Sequence, residues 1–302
     1  MKTIYRLEDF KPVNQVISIT IGNFDGVHLG HQAILSNLKG QKVVFSFLNP
    51  PFEVVRKQQC LPITTISHRL HLLEIHGVDT TILVSFTKPF SKQSPKDFLS
   101  DLKKNVPFSD LILGHDAAIG NERKGNKKCL SKLALEMNFH LKYLEPVVIF
   151  NEIVSSSRLR KLVTQGAFQD VETLLGRPYS IRATVEPGQQ KGSLLGFPTM
   201  NLKIDNLCLP PFGVYIVQVE IFRKKYLGVA NLGCAPTLHT NRSPILEVHL
   251  IHQQAELYGK EIEVYFIKFL RKEIHFNSIE ALKNQIKDDV KLTLLYAEKA
   301  IN

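Results

Sequence analysis

From residue 16 to residue 150 the chain alternates short apolar runs with amphipathic segments. Residues 16–21 form an apolar run that reads as a buried strand, and 32–38 read as a helix. Strand-like runs follow at 43–47, 81–86 and 110–114. Between them, 67–76 carries Leu70, Leu72, Leu73 and Ile75 at near-helical spacing, and 95–103 reads as a helix. Residues 127–137 repeat the helical pattern with Leu130, Leu133 and Leu135, and 143–150 close the series. Strands that alternate with helices predict a parallel sheet with helices on its faces, an α/β unit.

The texture changes after Leu175-Gly176-Arg177-Pro178-Tyr179. Short β-rich runs at 180–185, 214–222, 226–230, 246–251 and 262–269 are separated by turn residues, which predicts a small antiparallel barrel. Leu282, Ile286, Val290 and Leu294 then mark a closing amphipathic helix over 277–298. The expected organisation is two domains, residues 1–178 and 179–302.

Chemistry concentrates in Gly22-Asn23-Phe24-Asp25-Gly26-Val27-His28-Leu29-Gly30-His31, which joins the first strand to the first helix. Such a turn leaves backbone N–H groups unpaired at the positive end of a helix, where α/β proteins hold phosphate. His28 and His31, three residues apart, can both donate toward one anion. A Walker-type loop is excluded, because the nearest match, Gly120 to Lys127, has Asn126 where the lysine belongs.

Three further stretches are ambiguous by themselves. Ser155-Ser156-Ser157 before Leu159 and Arg160 reads as a capped helix start, or as a second phosphate clamp with Arg160 as a forked donor. Thr199 and Asn201 lie in a polar turn, or present two oxygens on one face if the segment is extended. Glu247 and His249 alternate with apolar neighbours, as a solvent-facing pair or a catalytic one would.

The first stretch resembles the nucleotidyltransferase signature, and its Gly-x-Phe-Asp-Gly-x-His form is similar to the adenylyltransferase half of bacterial bifunctional FAD synthetases. Gly-Phe-Pro-Thr-x-Asn at 196–201, Gly213-Val214-Tyr215, Asn231-Leu232-Gly233 with Pro236-Thr237, Leu246-Glu247-Val248-His249 and Leu257-Tyr258-Gly259 follow in order. They look like the riboflavin kinase domain of the same family, so the resemblance runs from about residue 17 to residue 289. It implies a nucleotidyltransferase-type parallel sheet and a riboflavin kinase-type barrel. The implied reactions are phosphorylation of riboflavin to FMN by the second domain and adenylylation of FMN to FAD by the first.

The same resemblance implies roles for individual residues. Glu247 would be the kinase base, and His28 and His31 would stabilise charge on the phosphates. Gly22, Asn23, Phe24, Asp25 and Gly30 would bind ATP in the first domain, with Ser156, Ser157 and Arg160 as its phosphate clamp. Gly192 and Gly196 would bind ATP in the second domain, with Thr199 and Asn201 on Mg²⁺. Asp116, Phe197 and Tyr215 are the flavin candidates.

Several positions depart from the family pattern. Asn49 and Pro50 stand in a Phe-x-Pro-His-Pro segment that has lost its histidine, and Ala117 and Ile119 replace two aromatics. Ser193 and Ala235 replace arginines. These departures keep two alternatives open: a riboflavin kinase whose first domain serves another acceptor, and a non-catalytic flavin binder.

The totals agree with a polyphosphate enzyme. A net charge of +10 is dispersed along the chain rather than clustered with aromatics, which suits anionic small molecules better than nucleic acid. The expected partners are ATP, riboflavin and FMN, with no nucleic acid or membrane, in a monomer or weak homo-oligomer. Cys60, Cys129, Cys208 and Cys234 are scattered, and residues 1–10 lack a signal-peptide core, so a cytoplasmic protein with reduced thiols is expected.

Overall fold

The computed structural model describes residues 1–56, 60–187, 192, 196–222, 224–234, 243–251 and 257–301. The chain divides into two compact units, Met1–Leu61 with Arg69–Ser156 and Pro62–His68 with Ser157–Asn302. Ser193 and Ala235, two of the departures noted above, lie outside the described residues.

In the first unit the strands are β1 (Lys2–Ile4), β2 (Ile17–Ile21), β3 (Gln41–Phe47), β4 (Thr80–Val84), β5 (Asp110–Gly114) and β6 (His140–Leu144). They form one sheet in the order β1-β4-β3-β2-β5-β6, with every neighbouring pair parallel. The short strands β7 (Val148–Ile149) and β8 (Glu152–Ile153) pair with each other, and α2 (Pro51–Arg56) and α4 (Lys88–Ser91) are short helices of the same unit. Alternation along each strand sends side chains to two cores. Ile17, Ile19, Val43, Phe45, Leu111 and Leu113 pack with Phe98, Leu99 and Leu102 of α5 (Pro95–Asn105) and Leu130 and Leu133 of α6 (Lys127–Glu136). Val44 and Ile112 point the other way, to Leu35 of α1 (Leu29–Ser36) and to Leu72 and Leu73 of α3 (Ile66–Ile75).

Strand order reverses at β2, because β3 and β4 extend the sheet on one side of it and β5 and β6 on the other. The carboxyl ends of strands at such a reversal form the crevice in which open α/β sheets bind ligands. The loop that leaves β2 is Gly22–His28.

The second unit is a closed antiparallel barrel in the order β10-β13-β12-β11-β14-β9. Its strands are β9 (Ser180–Glu186), β10 (Thr199–Lys203), β11 (Gly213–Ile221), β12 (Lys224–Cys234), β13 (Pro244–Leu250) and β14 (Glu261–Arg271). Closure by the β9–β10 and β9–β14 pairs removes exposed sheet edges. Tyr179, Tyr215 and Phe266 form an aromatic cluster with Phe168, which stands on α8 (Phe168–Leu175). The closing helix α9 (Ile279–Ile301) lays Val290 and Leu294 against Val214, Val229 and Ile251. Arg271 grips buried Asp289 of that helix through two nitrogens, at 2.9 and 2.7 Å.

Candidate active sites

In the first unit the β2–α1 loop is held in an unusual backbone path. Phe24 and Val27 have φ of 54° and 40°, with Gly26 at 79° between them. Left-handed backbone at two residues that carry a Cβ costs about 1–2 kcal/mol each, so the surroundings must enforce it. The Phe24 ring is buried in the core beside Leu35 and Val44, and Asp25 and Val27 are buried with it. The Ser156 hydroxyl donates to the Asp25 carbonyl at 2.9 Å.

The loop delivers His28 as the N-cap of α1. Its Nδ1 accepts the His31 backbone N–H at 3.3 Å, which assigns the proton of the neutral ring to Nε2. The His28 and His31 rings stack at 3.7 Å with 15° between their planes, and Phe24 lies 5.0 Å from His31. Gly30 allows this stack. A Cβ there would sit 3.1 Å from His28 Cε1 and 3.2 Å from its Nδ1. The two histidines picked out by their spacing are therefore brought together at the positive end of a helix.

The other residues expected at this site fall differently. Phe24 and Asp25 are buried, so a phosphate would meet their backbone and not their side chains. The side-chain oxygen of Asn23 accepts from Arg69 Nη1 at 2.8 Å. Asp116 lies exposed just past β5, and its carbonyl accepts from Arg123. Ser157 is exposed and Arg160 half-buried on the first turns of α7 (Ser156–Gln165).

In the second unit β10 runs directly through Thr199 and Asn201, so the segment is extended and not a turn. Sequence reading missed this strand because Gly196 and Pro198 precede it and only Met200 and Leu202 mark its apolar face. Asn201 pairs with Glu247 across β10–β13, and Glu247 pairs with Asn231 across β13–β12. Directly opposed residues in antiparallel strands share a face. Asn201, Glu247 and Asn231 thus form a row on the outer face, while Leu246 and Val248 fill the interior. Two residues along, on the same face, Thr199 pairs with His249, whose Nδ1 lies 2.9 Å from the Pro198 carbonyl.

The row continues on β9, where Glu186 pairs with Asn201. A cavity of about 310 Å³ beside it is lined by Arg182, Thr184, Glu186, Lys203 and Glu261 among others. Gly192 sits against Thr199: a Cβ there would overlap the Phe197 carbonyl and lie 3.1 Å from Thr199 Oγ1. Gly196 adopts φ 85° in the turn before β10. Phe197 is half-buried and meets the His249 ring edge-on at 5.4 Å.

Asn231 extends the site beyond the residues singled out from the sequence. Its Nδ2 approaches Glu273 Oε1 at 3.5 Å, and only its strand register shows that it faces Glu247. The flavin candidate Tyr215 lies in the barrel core. Its ring is fully buried with Phe168, Phe266 and Phe269, its hydroxyl donates to the Pro211 carbonyl, and burial pushes its ionisation well above the usual tyrosine range.

The donor set beside Glu247 suits a hard cation. A hydroxyl from Thr199 and a buried amide oxygen from Asn201, two residues apart on one strand face, are oxygen ligands of the type Mg²⁺ takes together with substrate phosphates.

Comparison with known proteins gives two family matches in tandem. The family described as FAD synthetase matches residues 10–158, and that described as riboflavin kinase matches residues 175–296. A bifunctional riboflavin kinase/FMN adenylyltransferase from Buchnera aphidicola is 33% identical, with 98% of this chain and 99% of that one aligned. Enzymes of the same description from Listeria monocytogenes and Escherichia coli K12 are 30% and 34% identical. The alignments cover 99% of both chains in the first case and 90% of both in the second. A crystal structure described as a macrolide-efflux protein from Streptococcus pneumoniae superposes with a TM-score of 0.80 at 26% identity, over 96% of this chain and 97% of that one. Among the described residues, no helix is long and apolar enough to cross a membrane.

Proposed function

The chain belongs to the bifunctional riboflavin kinase/FMN adenylyltransferase family, and we propose how its residues divide that work. The enzyme phosphorylates riboflavin to FMN with ATP, then adenylylates FMN to FAD with a second ATP. In our reading adenylyl transfer belongs to residues 1–178 and phosphorylation to residues 179–302. One observation carries it: each unit holds a phosphate-handling arrangement of its own, stacked histidines capping α1 in one and the Asn201–Glu247 register pair in the other.

For the kinase step, Glu247 accepts the proton of a riboflavin ribityl hydroxyl as its oxygen bonds to the γ-phosphorus of ATP and ADP departs. Thr199 and Asn201 would hold Mg²⁺, which when bound supplies positive charge to the phosphate oxygens. Phosphoryl transfer asks mainly for positioning and charge neutralisation, so this small set suffices. Gly192 and Gly196 serve the ATP phosphates through their backbone, Gly192 by letting the chain close against the Phe197 carbonyl and Thr199, and Gly196 by leaving open space about its Cα. Phe197 is the flavin-facing candidate that retains an accessible ring.

For adenylyl transfer, an FMN phosphate oxygen attacks the α-phosphorus of ATP and the bond to the β-phosphate breaks, releasing pyrophosphate. His28, as a neutral Nε2 donor, and His31 stabilise the charge that develops, at the positive end of α1. Gly22, Asn23 and Gly30 shape the backbone that the phosphates meet. The Ser156 hydroxyl holds the loop through the Asp25 carbonyl, and Asp116 stands by the flavin. We place the enzyme in the cytoplasm as a monomer or weak oligomer with small-molecule partners, on its family's biosynthetic chemistry and its dispersed charge.

The test is a time course with purified protein, riboflavin, ATP and Mg²⁺, resolving FMN and FAD by chromatography. The reading expects FMN first and FAD after a lag, with Mg²⁺ required for both. FMN alone would return the first unit to a different acceptor. Flavin binding with neither product would favour a binder.

A further inference from the structure

Arg69 belongs to no motif, yet it is the most deeply committed charge behind the β2–α1 loop. It is only 5% exposed. Its Nη1 donates to both the carbonyl and the side-chain oxygen of Asn23, at 2.7 and 2.8 Å, and its Nη2 donates to the Phe47 carbonyl at 2.6 Å. Its Nε is buried with no hydrogen-bond partner. Phe47 ends β3 and Asn23 lies just past the end of β2, so one planar guanidinium ties together the carboxyl ends of two adjacent parallel strands.

Two consequences follow from that placement. The first is geometric. With both oxygens of Asn23 engaged, and its carbonyl also accepting from Ser46 Oγ at 3.3 Å, the loop enters its left-handed stretch from a fixed peptide. The position of His28 depends on that entry. The second is electrostatic. An arginine does not give up its proton in a protein, so a full positive charge is kept in a poorly hydrated place. Burial opposes the charged form and Asp25 supports it. A cation under this loop adds a standing field for a polyanion bound over it.

We propose that Arg69 is a positioning residue of the adenylyl-transfer site, its fork fixing the loop and its charge drawing in the triphosphate of ATP. The proposal rests on our reading of the His28 loop as that site.

Two variants separate charge from fork, with riboflavin phosphorylation by the same molecules as the internal reference. Arg69→Met keeps the stem and removes both functions. FAD formation from supplied FMN should show KM for ATP raised about tenfold and kcat lowered about tenfold, while FMN formation from riboflavin stays within about twofold. Arg69→Lys returns the charge without the fork. It should bring KM for ATP back to within about threefold of the parent while kcat stays about tenfold low.

A purely structural arginine gives another pattern: a smaller active fraction, with kcat reduced and KM for ATP unchanged in both variants. That pattern overturns the proposal, as does wild-type behaviour of either variant. Should Arg69→Met fail to fold, Arg69→Lys decides alone, since parental kcat there removes the role of the fork. His28→Ala run in parallel tells the two failures apart. If it leaves FAD formation intact, the site itself is elsewhere; if it stops FAD formation while the Arg69 variants are unaffected, only Arg69 is wrong.

Discussion

Gly30→Ala sets stability against function within one methyl group. Gly30 is the second residue of α1 and its φ is not in the left-handed region, so alanine fits the backbone. Helix propensity favours the change by up to about 1 kcal/mol. The new Cβ, however, would lie 3.1 Å from His28 Cε1 and 3.2 Å from its Nδ1. Ordinary contact starts at 3.4 Å, so the imidazole must retreat by about 0.3 Å at least. Its ring is packed against His31, and the Nδ1 bond it would strain is already long at 3.3 Å. A misplacement of 1 Å in a catalytic group costs on the order of 100-fold, so 0.3–0.5 Å is worth roughly four- to tenfold, about 1 kcal/mol in the barrier. The assay is FAD formation from FMN and ATP, with riboflavin phosphorylation as reference and thermal melting alongside. The expected result is a melting temperature equal to or above the parent, an unchanged kinase and a four- to tenfold slower adenylyl transfer. A variant that is both stabilised and fully active in FAD formation would refute the idea that His28 is held by contact over Gly30.

Other substitutions test the barrel. Glu247→Gln should lower FMN formation by about 100-fold or more, as loss of a general base does, while FAD formation from supplied FMN continues. Tyr215→Phe should cost about 0.5–1.5 kcal/mol in denaturant unfolding, because a part-buried hydrogen bond to the exposed Pro211 is lost and water can reach its carbonyl, with KM for riboflavin unchanged. Glu261 feels burial, which would raise its pKa, but hydrogen bonds from Ser67 and Arg182 and the charge of Arg182 outweigh it and leave the carboxyl below the usual range. Its folded-state pKa is therefore below the unfolded one, so its contribution is present at neutral pH and lost as pH falls through the depressed value. Glu261→Gln should destabilise the protein at pH 7 and match the parent in acid melts.

Much of this architecture is legible in the chain because its strands and helices carry their own periods. The strand-like runs at 43–47 and 110–114 fall on β3 and β5, and the leucines of 127–137 mark α6 with Leu130 and Leu133 on the core side. Leu135 did not follow, and is 86% exposed. Parallel strand β1 escaped notice because three residues carry no period. Segment 62–68 shows a harder limit. Cys208 donates its N–H to the Pro62 carbonyl at 2.8 Å and His68 lies 3.2 Å from Glu263, contacts between residues too far apart in sequence for any local pattern to link them.

The sites divide in the same manner. Histidine spacing on a helix start is local and readable, and so is the alternation that puts Glu247 opposite the barrel interior. Which polar residues of a motif turn inward is decided by tertiary packing, as with Asp25 and Tyr215. Arg69 carries no signal of its own in the sequence, and only the carbonyls around it give it a meaning.

The claim that two separate sites carry out two successive reactions is tested most directly by mixing two inactive variants. His28→Ala alone, given riboflavin and ATP, should stop at FMN. Glu247→Gln alone should make FAD only when FMN is supplied. Combined in one tube with riboflavin, ATP and Mg²⁺, the two should restore FAD formation, since FMN diffuses from one molecule to the other. Loss of both activities from either single substitution in folded protein, or failure of the mixture to make FAD, would contradict the account.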